Sequence, residues 1–166
     1  MVLIRDGVIE TDGWVAVADG DPLPGDGPVL VSLERWRAQR AELLKRGTLL
    51  GVRLESGEAA ADIAGDISHL GLIALEFPAF TDGRAYSTAR LLRERYGYMG
   101  ELRAVGHVLR DQFLFMRRCG FDSFEVRDND AGVWQEAVTE INIFYQPAGD
   151  RRITALQLRH RRSAAE

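Results

Sequence analysis

Arg53, Glu76, Arg103 and Glu125 each stand near the end of a short run of alternating apolar residues: GVRL, IALEF, ELRAV and SFEV. Carboxylates in such positions can move protons, and guanidinium groups can hold an anion through paired N–H donors. Strand side chains alternate between faces, so Val52, Leu54, Ile73, Leu75, Phe77, Leu102, Ala104, Phe124 and Val126 fall on one face. Gly51, Arg53, Ala74, Glu76, Arg103, Ser123 and Glu125 fall on the other. A sheet covered on both sides reads as unbroken apolar runs. This one does not, so its second face must meet ligand, water, a barrel interior or a partner. A second reading is compatible with the first: alternating Arg and Glu neutralise one another as an ion-pair network, and breaking such a pair when buried costs about 3 to 5 kcal/mol.

Two loops add further candidates. FPAFTDGRAYS, residues 77–87, follows the IALEF strand and leads into a helix with Pro78, Thr81, Asp82, Gly83 and Arg84 at the junction. Ligands of parallel α/β folds bind at this edge, where Thr81 and Arg84 could hold an oxyanion; the alternative is an ordinary cap built on Asp82 or Thr81. RAVGHVLRDQ places Gly106 at a turn and His107, Arg110 and Asp111 on the first turns of the next helix. Spacing of four would let Asp111 orient the His107 imidazole for acid–base work, or form a surface ion pair of little energetic weight. The catalytic candidates are therefore Glu76, Asp82, His107 and Asp111. The anion- or ligand-binding candidates are Arg53, Thr81, Arg84, Arg103, Arg110 and Glu125. His69, His107 and His160 share no zinc-site spacing with one another or with Cys119, so no metal site is expected. Neither GxGxxG nor GxxxxGK[ST] occurs, and the residues name no cofactor.

These residues need a frame. Residues 2–17 read as a β-hairpin or meander turning at Asp6-Gly7 and Asp12-Gly13, and DGDPLPGDGP, residues 19–28, reads as a linker. From residue 29 to 146 strands and helices alternate: strands at 29–31, 51–54, 73–77, 101–105 and 123–126, helices at 33–46, 59–70, 85–96, 107–119 and 132–140. Ser32 is placed to cap a helix start, and Gly47, Gly71, Gly97 and Gly120 to close helix ends. The expected fold class is α/β, with repeated β/α units and a parallel sheet forming a TIM-barrel-like arc, or alternatively a doubly wound open sheet. A helical layer over the charged face would bury those charges at a cost, which favours the arc. Residues 147–166 are expected to be a flexible tail whose basic cluster, Arg159, Arg161 and Arg162, is solvated.

The helix VLRDQFLFMRRC has more apolar residues than one stripe needs, fitting either burial between helices or a homo-oligomer contact. Cys119 ends that helix, where the dipole raises a thiol pKa, so it reads as core. Length and a 46% hydrophobic share suit a single domain. A net charge of -4 argues against a nucleic-acid binder. No run approaches a membrane span and no leader pattern opens the chain, which gives a cytoplasmic expectation. One cysteine cannot ligate an iron–sulfur cluster.

The segment from residue 72 to 126 resembles the bacterial family called domain of unknown function 934. Its recurring pieces, EFPAFTDGR, LLRERYGY, GELRAVG, VLRDQ and MRRCGFD, stand here in order, and FYQP at residues 144–147 is similar to the family's usual ending. His107 departs from the pattern, which has an acidic residue after AVG. Members are encoded beside sulfite reductase and other sulfate-assimilation genes and are often labelled probable oxidoreductases of sulfite reduction. The resemblance therefore implies a pathway and no mechanism, because no catalytic residues are established for the family. It implies sulfite reductase or another sulfate-assimilation protein as partner, or a sulfur oxyanion as ligand. The leading expectation is an accessory protein of assimilatory sulfite reduction. The alternative is an independent enzyme in which Glu76 or Asp82 is the acid–base and Arg103 or Arg84 holds an anion.

Overall fold

The computed structural model describes residues 1–127, 131–140, 144–148 and 152–163. The chain opens with β1 (Val2–Arg5) and β2 (Val8–Glu10), joined by Asp6 and Gly7. Both turn residues take positive φ, 48° and 78°, the geometry that matches hairpin twist. Then come β3 (Val15–Ala16), β4 (Val29–Ser32), α1 (Leu33–Leu43), β5 (Leu50–Leu54), β6 (Leu70–Phe77), α2 (Arg84–Arg90), β7 (Glu101–Gly106), α3 (Phe113–Cys119) and β8 (Ser123–Val126). α4 (Ala131–Glu140) and α5 (Ala155–Ser163) follow.

Ser32 caps α1, its Oγ accepting from the Arg35 N–H at 2.9 Å. Gly47 and Gly120 close their helices in the left-handed region. Gly71 does not: it lies inside β6, where its missing Cβ leaves room for the Trp14 ring. The stretch expected as a helix over 59–70 forms a 3-10 run, Ala60–His69. The expected helix over 107–119 starts late, as a 3-10 turn at Arg110 leading into α3. The loop over 19–28 is tied down. The buried Arg35 guanidinium donates to the carbonyls of Ala18 and Asp21, the latter at 2.7 Å, and Arg46 donates to that of Pro24 at 2.7 Å.

Eight strands form one sheet in the order β2-β1-β8-β7-β6-β5-β4-β3. It is mixed rather than uniformly parallel: β3 to β8 run parallel, and the N-terminal hairpin adds two antiparallel pairings at the β8 edge. The face carrying Val52, Leu54, Ile73, Leu75, Phe77, Leu102, Ala104, Phe124 and Val126 is buried as expected. Trp36 of α1, Ile63 of the 3-10 run, Ala89 of α2, Met116 of α3 and Trp134 of α4 pack into that same core. Helices that build the core thus cover one face, and the sheet is not doubly wound.

Connectivity dictates the sheet's curvature. The outermost strands, β2 and β3, are joined by residues 11–14 alone. Laid flat, eight strands at about 4.8 Å spacing put the edges about 34 Å apart, whereas the five steps from Glu10 to Val15 reach about 18 Å at most. The sheet must curl into a half-barrel. The connecting strap crosses the face opposite the helices, with the Trp14 ring over Gly51 and Gly71, so that face is the concave one. Trp14 completes a small second core there with Leu30, Leu72, Ala74 and Val105.

Candidate functional site

Strand register sorts the concave face into rows. Ser32, Arg53, Ala74, Arg103, Ser123 and Arg5 stand side by side across β4 to β1. Glu76 lies one row nearer the C-terminal edge, beside Val105, and Glu125 is beside Leu3, which faces Glu10. The four charges of the sequence pattern therefore occupy two rows. Arg53 and Glu76 meet across adjacent strands at 2.9 Å. Arg103 meets neither glutamate of that pattern.

Arg103, 1% exposed, instead organises residues that the pattern did not single out. Its Nε donates to Glu101 Oε1 at 2.9 Å, while Nη1 and Nη2 fork onto the Asp12 carboxylate of the strap at 2.7 and 3.2 Å. Glu101 also accepts from Ser123 Oγ at 2.6 Å and from Arg5 at 2.5 Å, and Arg5 pairs with Glu10 at 3.1 Å. Burial alone would raise the Glu101 pKa. The Ser123 hydrogen bond and the charges of Arg103 and Arg5 outweigh it and hold the carboxyl below its ordinary range. Glu101 was legible in principle, since it precedes Arg103 by two in the same strand. Asp12 was not, because nothing local says that a loop near the N-terminus crosses the sheet.

At the C-terminal rim, the 78–83 loop is braced. Asp82 accepts from Ser56 Oγ at 2.5 Å, from the Arg84 backbone N–H at 3.1 Å and from the Arg84 guanidinium at 3.0 and 2.6 Å. The Arg84 and Ser56 hydrogen bonds hold the Asp82 carboxyl well below the usual carboxylate range. Arg84 is thus engaged by Asp82, and Thr81 is exposed beside it. From the opposite loop, Gln112 Nε2 donates to the Phe80 carbonyl at 3.0 Å. Between these supports the Phe80 ring stands 55% exposed.

The other loop turns at Gly106, where φ is +89° and a Cβ would come within 2.6 Å of the Phe77 carbonyl oxygen. Only glycine fits there. The turn carries the His107 N–H onto that same carbonyl at 2.6 Å and sets the imidazole 6.0 Å from the Phe80 ring. His107 Nδ1 is buried without a hydrogen-bond partner. Because His107 precedes the helix, the four-residue spacing does not stack it on Asp111, which is exposed at the 3-10 turn beside Arg110. Glu125 is half-buried on the concave face.

Of the apolar excess in residues 108–119, Phe113, Met116 and Cys119 are core. Phe115 stays 58% exposed, its ring 4.7 Å from that of Tyr86. Burial pushes the Cys119 thiol pKa up. Among the described residues no cluster of His, Cys, Asp or Glu is arranged to hold a metal ion, and no helix is long and apolar enough to cross a membrane.

The model of a family described as a bacterial protein of unknown function (DUF934) matches residues 51–156. That span takes in β5 to β8, both rim loops and the Arg103–Glu101 pair, and leaves out the strap. No curated protein matches the chain. The chain belongs to the DUF934 family.

Proposed function

We propose that this DUF934 protein is an accessory factor of assimilatory sulfite reduction, one that docks on sulfite reductase through the C-terminal rim of its half-barrel. The observation that carries the reading is Phe80. It is a large apolar ring left more than half exposed on a loop that is nevertheless fixed by Ser56, Asp82, Arg84 and Gln112. A pre-ordered exposed aromatic is the usual anchor of a protein interface, because burying it releases water at little cost in side-chain freedom. The half-barrel acts as a TIM-barrel-like scaffold whose strand ends present this rim.

Charge favours docking over capture of a free anion by the concave face as it stands. Three guanidinium groups there, Arg5, Arg53 and Arg103, face five carboxylates, Glu10, Asp12, Glu76, Glu101 and Glu125. The reductive chemistry itself belongs to the partner: the single cysteine is buried with a raised pKa and cannot ligate a cluster. The rim carboxyl Asp82 is held ionised and is poorly suited to donate a proton near neutrality.

Co-elution of the purified chain with sulfite reductase, and reductase turnover with and without it, test the reading. Wild type should co-elute and alter turnover, and Phe80→Asp should do neither while remaining folded. Wild-type protein that leaves the reductase untouched, or a Phe80→Asp variant that binds as well as wild type, would overturn it.

A further inference from the structure

We infer that the guanidinium fork of Arg103 is an oxyanion-binding site that the strap residue Asp12 fills in the free protein. The concave face has several ion pairs, but most join strand to strand. Arg53 with Glu76 and Arg5 with Glu10 and Glu101 are fixed by sheet register, and Arg103 with Glu101 by their spacing of two in one strand. Asp12 alone among these partners comes from outside the sheet, on the strap between β2 and β3. It presents both carboxylate oxygens to Nη1 and Nη2, the two-point geometry with which arginine takes a carboxylate, sulfate or phosphate.

The site is built rather than incidental. Arg103 is almost fully buried, and its Nε is aimed by Glu101, itself held by Ser123 and Arg5. Nη2 is shared between Glu101 Oε1 at 2.9 Å and Asp12 at 3.2 Å, and Nη1 is directed at the strap alone. Asp12, by contrast, keeps 39% of its side chain exposed. Thr11 and Gly13 on either side of it are exposed, and a Cβ at Gly13 would meet nothing within 4 Å. The strap is anchored beyond them, by β2 pairing at one end and by Trp14 over Gly51 and Gly71 at the other. Asp12 can therefore withdraw by a local change at residues 11–13 with the sheet intact, giving up as well the hydrogen bond that its Oδ1 accepts from the Trp14 backbone N–H at 3.0 Å. An incoming oxyanion that takes its place supplies the negative charge opposite Arg103 that Asp12 gives up.

The ligand class is a small oxyanion offering two oxygens from one centre. A fork that the tethered Asp12 carboxylate fills about 90% of the time or more leaves about a tenth of the molecules free to bind, so removing Asp12 should tighten binding by about tenfold or more. This site lies on the concave face and does not depend on docking at the rim.

The test is calorimetric titration of the full chain with sodium sulfate and sodium acetate, at ionic strength held constant with chloride. Asp12→Ala should bind sulfate at least tenfold tighter than wild type, and Asp12→Ala with Arg103→Lys should lose that gain, because lysine has no fork. Equal affinity in wild type and Asp12→Ala, or a gain that survives Arg103→Lys, would overturn the assignment. A measurement on wild type needs no variant: saturating sulfate should move the backbone amide resonances of Asp12, Gly13 and Trp14 beyond the shifts that chloride produces. Amides that respond to both salts alike would equally overturn it.

Discussion

Replacing Glu101 by glutamine keeps the side chain's shape and removes its charge. The carboxylate is 8% exposed and accepts from Ser123 Oγ, Arg103 Nε and Arg5. Removing one member of a buried ion pair costs about 3 to 5 kcal/mol, because the surviving charge is left without compensation. Here Arg103 keeps Asp12 and Arg5 keeps Glu10, which puts the expected cost at the lower end, about 3 kcal/mol. For a domain of this length each kcal/mol shifts Tm by about 2 to 4 °C, so Glu101→Gln should melt about 6 to 12 °C below wild type. Urea denaturation at pH 7 should give the same free-energy difference with an unchanged slope.

The pH dependence has a definite sign. The folded-state pKa of Glu101 lies below its ordinary range. The carboxylate therefore contributes stability that is fully present above the unfolded-state value of about 4.3 and is lost as pH falls through the folded-state value. The gap between wild type and Glu101→Gln should be widest at neutral pH and narrow in acid. A gap smaller than about 1 kcal/mol at pH 7, against the 3 to 5 expected for a buried pair, would refute this account of the network. So would a gap that stays the same at pH 7 and pH 3.

Glycine positions offer a graded comparison. Gly47→Ala meets a positive φ of 68° with nothing within 4 Å and should cost about 1 kcal/mol, whereas Gly106→Ala also meets the Phe77 carbonyl and should cost more than about 3 kcal/mol by thermal denaturation. In carbon-detected NMR titration the Asp82 carboxyl should protonate well below the usual carboxylate range, and Arg84→Ala should return it toward that range. Cys119 should react with a thiol reagent only as fast as the chain unfolds, since it is buried with a raised pKa. Phe80→Ala should leave thermal stability within about 0.5 kcal/mol of wild type, as exposed positions do.

Local pattern was enough to place β5 to β8 and the faces of their side chains, because period-two alternation is a property of the strand itself. The Asp6-Gly7 hairpin and the Ser32 cap were legible for the same reason. What failed depended on contacts distant in sequence. Gly71 looks like a helix terminator until Trp14 is known to lie on it. Residues 107–109 carry helical spacing, yet the His107 N–H is taken by the Phe77 carbonyl of the neighbouring strand, which keeps the segment out of the helix. Strand alternation predicts one ladder of charges on this face, but Arg103 meets Glu101 in its own strand and Asp12 on the strap. A sequence announces that a face is polar; which charges meet is decided by curvature, and here the curvature is set by residues 11–14, whose Asp12-Gly13 pair reads locally as a turn between neighbouring strands but joins the two edges of the sheet.

The hairpin also has a bearing on how the chain folds. β1 is the first strand of this sheet to be made, and its partner β8 is the last. Pairing Val2 with Val126 closes a loop that spans most of the domain, among the slowest events available to a chain of this kind. The parallel strands between them can assemble in order as they are synthesised. β1 must wait with β2 and the strap beside it, so the half-barrel takes its curl in the final step, when the sheet's first strand docks against its last.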